Sequence, residues 1–282
     1  MRALSEGLHD LGYGDGRDYV VEWRAAEGRP EPLTALAAEL VQLPVEVLVT
    51  VGVAATLAAA KVTTTTPIVQ AAGAADLVQE GLATSLARPG GNVTGLTELA
   101  PELTSKRLDI LQEALPGLQR VAILWNPDSR PASTAFQEAQ VVAVALGVAL
   151  RPLAVRTPED LEDRVTTAAR EPVDALLVLT DALTVFHQER IAALAGRARL
   201  PAMFDRRAFA VAGGLLAYGP DILDLYRRAA TYVDKILKGA KPGDLPIERP
   251  TKFDFVINLK TAQAFGWTIP PSVLAQASEV IQ

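Results

Sequence analysis

Asp76, Asp181 and Asp205 each follow a short apolar run that reads as a β-strand, and these three carboxylates are the first groups in the chain that could do chemistry. In an open α/β sheet, ligands bind in crevices beyond the carboxyl ends of the strands, which is where such residues stand. A carboxylate there can accept from a ligand's ammonium group, or act as an acid or base as in glycosidases and aldolases. Its plain structural role is to cap the helix that follows. The two roles coexist, because a capped helix N-terminus still offers N–H donors to an anion.

Other chemistry is thin. His9 and His187 are the only histidines and fall in separate expected helices, which argues against a histidine acid/base pair or a zinc site. The absence of cysteine removes disulfides, thiolate ligands and cysteine nucleophiles, without defining the redox compartment. No GxxxxGK[ST], GxSxG or HExxH string occurs. Gly12-Tyr13-Gly14-Asp15-Gly16 follows a helix and enters a strand, the reverse of the dinucleotide fingerprint, and reads as a turn.

The elements that must position the carboxylates alternate between β-branched runs and Ala/Leu-rich amphipathic segments, the pattern of βα units around parallel sheets. Strands are expected at Tyr19 to Trp23, Val45 to Val51, Pro67 to Ala71, Arg120 to Trp125, Ala149 to Leu153, Ala175 to Leu179, Ala202 to Phe204 and Leu215 to Ala217. Helices are expected near Met1, at Glu31 to Gln42, Ala54 to Lys61, Pro101 to Ala114, Ser133 to Leu146, Pro158 to Ala169, Val185 to Arg199 and Leu223 to Lys238. Thr157, followed by Pro158 and three residues on by Asp160, has the form of a helix cap. The turn-rich stretch from Arg88 to Leu96 ends a first lobe; returns are expected after Tyr218-Gly219-Pro220 and at the strand-like Phe253 to Ile257.

A chain of 282 residues suits two lobes of ordinary size. With 33 acidic and 27 scattered basic side chains, net charge −6, nucleic acid is not an expected partner. No apolar run reaches the roughly 18 residues that span a bilayer, so no membrane insertion is expected. Glu6 and Asp10 stand where the apolar core of an export signal belongs, which places any signal upstream of Met1.

Several strings combine into a resemblance. Leu86-Ala87-Arg88-Pro89-Gly90-Gly91-Asn92-Val93-Thr94-Gly95, Lys106-Arg107-Leu108 with Leu111, and Val121-Ala122-Ile123-Leu124-Trp125-Asn126-Pro127 occur in that order. Gly213-Gly214-Leu215 with Tyr218-Gly219, Pro250-Thr251-Lys252-Phe253 and Val256 to Ala262 complete the set. Together they resemble the ABC transporter substrate-binding protein family that includes tryptophan- and tyrosine-binding members. The resemblance runs in order over essentially the whole chain.

It implies a type I periplasmic-binding-protein fold, an α/β clamp of two Rossmann-like lobes with parallel sheets joined by a three-strand hinge. The lobes are expected at 1–98 with 219–251, and at 99–218 with 252–282. The implied function is capture of a small solute, in some relatives an aromatic amino acid, in the interlobe cleft by hinge closure. No enzymatic step and no cofactor are implied; the partner is an ABC permease, the location periplasmic or extracellular, and the state a monomer or weak dimer. Transferred position by position, the ligand contacts are Thr50, Gly52, Val53, Ala54, Gln70, Gly73 and Asp76 in the first lobe. In the second they are Asn126, Thr180, Asp181, Asp205 and Tyr218.

The residue chemistry fits an amino acid's zwitterion: amides at Gly52 for its carboxylate, Asp181 or Asp205 for its ammonium, and Tyr218 or Phe204 for a stacking wall. For Phe204 and Trp125 the plain alternative is core packing. Two departures from the family pattern stand out. Asp76-Leu77 replaces a frequent Asp-Pro after the small run Ala71 to Ala75, and no first β-strand precedes the opening helix, which would leave sheet edges exposed. Two rival readings are a ligand-sensing regulatory domain of the same fold and a carboxylate-dependent α/β enzyme.

Overall fold

The computed structural model describes residues 2–98 and 103–282. In chain order its elements are α1 (Arg2–Asp10), α2 (Leu33–Val41), β1 (Leu48–Val51), α3 (Val53–Val62), β2 (Ile68–Ala72), β3 (Val93–Gly95), α4 (Thr104–Ala114), β4 (Arg120–Trp125), α5 (Arg130–Leu146), β5 (Ala149–Ala154), α6 (Asp160–Arg170), β6 (Ala175–Val178), α7 (Ala182–Phe186), α8 (Gln188–Arg197), β7 (Ala202–Phe204), α9 (Arg207–Val211), β8 (Leu216–Pro220), α10 (Ile222–Leu237), β9 (Phe253–Asn258), α11 (Leu259–Phe265), α12 (Pro271–Leu274) and β10 (Glu279–Ile281). Two compact units result, Met1–Leu99 with Asp221–Lys252, and Ala100–Pro220 with Phe253–Gln282. No helix among the described residues is long and apolar enough to cross a membrane.

The first unit is built on a parallel sheet ordered β1-β2-β3. Ile68 and Val69 in β2 are both fully buried, yet face different cores, because successive strand side chains point to opposite faces. On one side of β2, α1 and α10 pack together: Leu4 and Leu8 meet Leu225, Ala229 and Val233, each set spaced at the helical repeat. Gly7 marks the close approach, since a Cβ there would stand 2.7 Å from the Arg227 carbonyl oxygen. Asp221 opens α10 by accepting from the Asp224 N–H at 3.0 Å.

The second unit carries a seven-stranded sheet in the order β10-β9-β8-β7-β6-β4-β5. Only the β8/β9 pair is antiparallel among the described residues. Val121 and Ile123 enter one core and Ala122 and Leu124 the other, so β4 is covered on both faces and reads as an uninterrupted apolar run. The edge strand β5 carries Pro152 and an Arg151–Glu171 pair, features that discourage further strand addition. The chain passes between units at 220/221 and again at 252/253, where the Asp221 N–H donates to the Lys252 carbonyl at 3.0 Å.

Several expectations need correction. Tyr19 to Trp23 forms no strand: Val20, Val21 and Trp23 are exposed, and the segment makes only an isolated bridge from Tyr19 to Asp15. No strand among the described residues offers it a ladder, and without one an apolar β-branched run gains nothing from extension into a sheet. Val93 to Gly95, read as part of a turn, is β3; Gly95 holds φ +128°, and a Cβ on it would lie 2.1 Å from the Gln70 carbonyl oxygen. The helix expected over Val185 to Arg199 is two helices meeting at His187, which therefore sits at a junction. The strand β10 had no counterpart in the sequence reading, its three residues being too few to show a period.

At the expected cap before α6 the roles are reversed. Asp160 accepts from the N–H groups of Arg156 and Thr157 at 2.8 and 3.0 Å, and Pro158 and Glu159 form a turn ahead of the helix. The helix expected from Pro101 is described from Thr104; Pro101 and the crossing at 99–102 lie outside the described residues.

Candidate functional site

In the first unit the expected contacts fall at the carboxyl ends of neighbouring strands, and a hydroxyl relay ties two of them together. Thr50 Oγ lies 2.8 Å from Thr56 Oγ, which donates to Gln70 Oε1 at 2.9 Å; Gln70 Nε2 in turn donates to the Leu96 carbonyl at 3.0 Å. The relay crosses β1, β2 and the residue after β3. Gln70 is completely buried and its amide is satisfied at both ends, so its side chain is part of the frame. Thr56, the central member, was absent from the sequence reading. Its one signal there was a hydroxyl in the otherwise alanine-rich run of α3.

Gly52 joins β1 to α3 at φ +83°, with nothing near its missing Cβ, and its N–H donates to the Ala72 carbonyl at 2.6 Å. The first amide to bond back into α3 is Thr56 N–H, to Gly52 O at 3.2 Å. The amides of Val53, Ala54 and Ala55 are thus the helix's N-terminal donors, with the positive end of its dipole behind them. Gly73 accommodates the Gln70 side chain, 2.4 Å from where a Cβ would be, and its carbonyl accepts from Glu98 N–H at 2.9 Å. Asp76 caps a local turn, accepting from Val78 N–H at 2.8 Å.

In the second unit, Asn126 follows β4, Thr180 and Asp181 follow β6, Asp205 follows β7 and Tyr218 lies within β8, four neighbouring strands that run parallel. The structure therefore gathers all five at one sheet edge. Asn126 Nδ2 donates to Asp181 Oδ2 at 2.8 Å. Asp181 Oδ1 accepts from Thr184 N–H at 2.8 Å while Thr184 Oγ accepts from Asp181 N–H, a reciprocal capping box for α7. Asn126 Oδ1 accepts from Asp128 N–H at 3.0 Å. Both oxygens of Asp181 and both amide atoms of Asn126 are thereby engaged.

Asp205 differs. Thr180 donates to its Oδ2 at 2.8 Å, and both residues are buried. Its Oδ1, also buried, accepts no hydrogen bond among the described residues, although Arg206 Nε stands 3.6 Å away. Gly219 makes this placement possible: a Cβ there would be 2.0 Å from the Asp205 carbonyl oxygen. Beside it, half-buried Tyr218 stacks nearly parallel to Phe253, with centroids 6.4 Å apart, and meets Phe255 edge-on. Buried Arg107, from α4, donates through Nε to the Tyr218 carbonyl at 2.8 Å, a link with no local sequence signature.

The other aromatic candidates belong to the cores. Phe204 is fully buried and edge-on to Phe209, and Trp125 stacks on Phe136 at 4.3 Å. His187, half-buried at the α7/α8 junction, has its pKa lowered by burial and by Arg190; His9 is exposed.

Known proteins share this architecture. The curated tyrosine-binding protein of Clostridioides difficile is 22% identical over 263 residues, 93% of this chain and 75% of that protein. A conserved domain protein from Vibrio cholerae matches with a TM-score of 0.92 at 28% identity, covering 99% of this chain and 93% of that one. An ABC domain from Streptococcus pneumonia, solved in complex with L-Trp, matches with a TM-score of 0.91 at 26% identity and the same coverages. These structural neighbours carry the type I periplasmic-binding-protein fold. The family described as "ABC transporter substrate binding protein" matches residues 1–281, and the chain belongs to that family.

Proposed function

We propose that this protein captures an α-amino acid with an aromatic side chain and delivers it to the permease of an ABC importer. The carrying observation is Asp205: a buried carboxylate with one oxygen held by Thr180 and the other without a hydrogen-bond donor. An ammonium group brings three donors, and its charge matches the carboxylate. Asp181, with both oxygens engaged, is the weaker candidate. Tyr218, backed by Phe253 and Phe255, provides a wall for a flat apolar side chain. In the first unit the N-terminal amides of α3 at Val53 and Ala54 suit the ligand's carboxylate.

On this reading the solute engages both units, with residues Thr50 to Ala54 and Gln70 to Asp76 on one side and Asn126, Thr180, Asp181, Asp205 and Tyr218 on the other. The crossing segments absorb the hinge motion, and the ligand's greater affinity for the closed form drives it. The protein works on the periplasmic or extracellular face as a monomer or weak dimer, and its ligand leaves chemically unchanged. The tyrosine-binding relative and the L-Trp complex support the aromatic assignment.

Calorimetric titration with L-Trp, L-Tyr, L-Phe and a polyol tests the proposal. Expected are saturable binding of an aromatic amino acid, recovery of the compound intact, and at least tenfold weaker binding in Asp205→Asn, about 1.4 kcal/mol. Binding of the polyol alone, or consumption of the amino acid, overturns it.

A further inference from the structure

At the opposite end of the second unit's sheet, ahead of β4, β6 and β7, a cavity of about 320 Å³ opens among Leu115, Leu118, Val173, Leu200, Trp267 and Arg199. None of these residues belongs to the solute site, whose members stand at the carboxyl ends of the same strands. The volume is within the range of small-ligand pockets, roughly 300 to 1,000 Å³. The cavity is an open depression of mixed character, in which the apolar side chains of Leu115, Leu118, Val173, Leu200 and Trp267 meet a polar rim that carries Arg199 and Asp174, so an apolar body could be anchored there at one charged end.

The cation is held in an unusual way. Arg199 follows α8 at φ +51°, in the left-handed region. Its N–H bonds the Gly196 carbonyl and the next N–H, of Leu200, bonds the Ala195 carbonyl, each at 3.0 Å. This is the helix-ending motif in which glycine normally occupies the left-handed position, because a Cβ is strained there. An arginine kept in a glycine position directs attention to its side chain. The guanidinium lies 5.5 Å from the centre of the Phe265 ring, and Phe265 meets Trp267 at a tilt of 41° with centroids 5.1 Å apart, so the cation and the two aromatic rings are in series. Asp174, also on the lining, already accepts from the N–H groups of Gln119 and Arg120 at 2.8 Å each. Its negative charge on the same rim disfavours ligands carrying more than one anionic group.

We propose that this cavity is a second binding site, for a small aromatic monocarboxylate whose ring lies against Trp267 and whose carboxylate pairs with Arg199. Guanidinium and carboxylate match in a planar, two-point fashion that lysine does not reproduce. The site needs nothing from the first unit and does not depend on which solute the protein transports.

The test is a titration of the intact chain with indole-3-acetate, followed by calorimetry and by the indole N–H signals in NMR, with uncharged indole in parallel. Expected is saturable binding at submillimolar concentration that shifts the Trp267 signal, with indole at least tenfold weaker. Arg199→Gly relieves the left-handed strain, so it should melt no lower than the parent and still bind at least tenfold more weakly. That combination separates loss of the anchor from loss of the fold. Asp205→Asn, altered only at the solute site, should bind indole-3-acetate as the parent does. No saturable binding at millimolar concentration, undiminished binding by Arg199→Gly, or loss of binding in Asp205→Asn each overturns the proposal.

Discussion

Thr180 Oγ and Asp205 Oδ2 lie 2.8 Å apart at the ends of adjacent parallel strands, both shielded from solvent. The hydroxyl fixes the carboxylate's rotamer, which determines where the second oxygen points. Thr180→Val keeps the shape of the side chain and removes that donor. Stability should fall by about 1 to 3 kcal/mol, the usual effect of leaving a buried acceptor unsatisfied, and amino-acid affinity should fall with it. Thermal melts and calorimetry on the one variant read both effects.

Gly219 tests the same arrangement from the backbone side. Gly219→Ala places a Cβ where the Asp205 carbonyl already is, 2.0 Å away, so β7 and β8 must separate. Overpacking of this kind costs about 1 to 3 kcal/mol, more than Ala at the exposed Gly91, whose φ is not left-handed and whose Cβ would meet nothing closer than 4.0 Å. The displaced Asp205 should also weaken solute binding, which calorimetry reads. Denaturant unfolding of the two variants side by side checks the difference.

The first unit's relay has its own signature. Thr56→Val removes the hydroxyl between Thr50 and Gln70, leaving Gln70 Oε1 buried without its donor. The expected loss is about 1 to 3 kcal/mol. A double variant with Gln70→Leu, which removes the orphaned acceptor as well, should recover part of it.

His187 sets an acid-side dependence. Burial, then Arg190, lowers its pKa, so the folded protein favours the neutral ring. A group whose folded pKa is depressed contributes stability that is fully present above its unfolded pKa, about 6.5. That contribution is lost as pH falls through the folded value. Melting temperature should therefore decline below about pH 6.5, and His187→Gln should flatten that part of the profile. An unchanged profile in the variant would assign the decline to carboxylates.

Much of the second unit was legible because its central strands are buried on both faces. Arg120 to Trp125 and Ala202 to Phe204 read as apolar runs and are strands with those bounds. Their order along the chain is enough to bring Asn126, Asp181 and Asp205 to one edge. What the sequence could not convey is which carboxylate is spoken for. Asp181 and Asp205 both follow an apolar strand and precede a short helix, but Asp181 caps its helix through Thr184 whereas Asp205 caps nothing, and the cross-strand partners Asn126 and Thr180 complete the difference. Tyr19 to Trp23 failed for a related reason. Its composition is that of a strand, but strand formation depends on a neighbour, and neighbours are a property of the sheet.

The packing of α1 on α10 has a consequence for how the protein is made. Glu6 pairs with Arg227, and Tyr13 bonds Asp234, partners separated by 221 positions. A ribosome adding roughly 5 to 20 residues per second needs on the order of 10 to 40 seconds to reach the second partner. Through that interval Leu4 and Leu8 have no cover, and the first unit cannot close. The helix α1 thus waits for α10 before it can pack. Through that time it is open to chaperones and to misassociation.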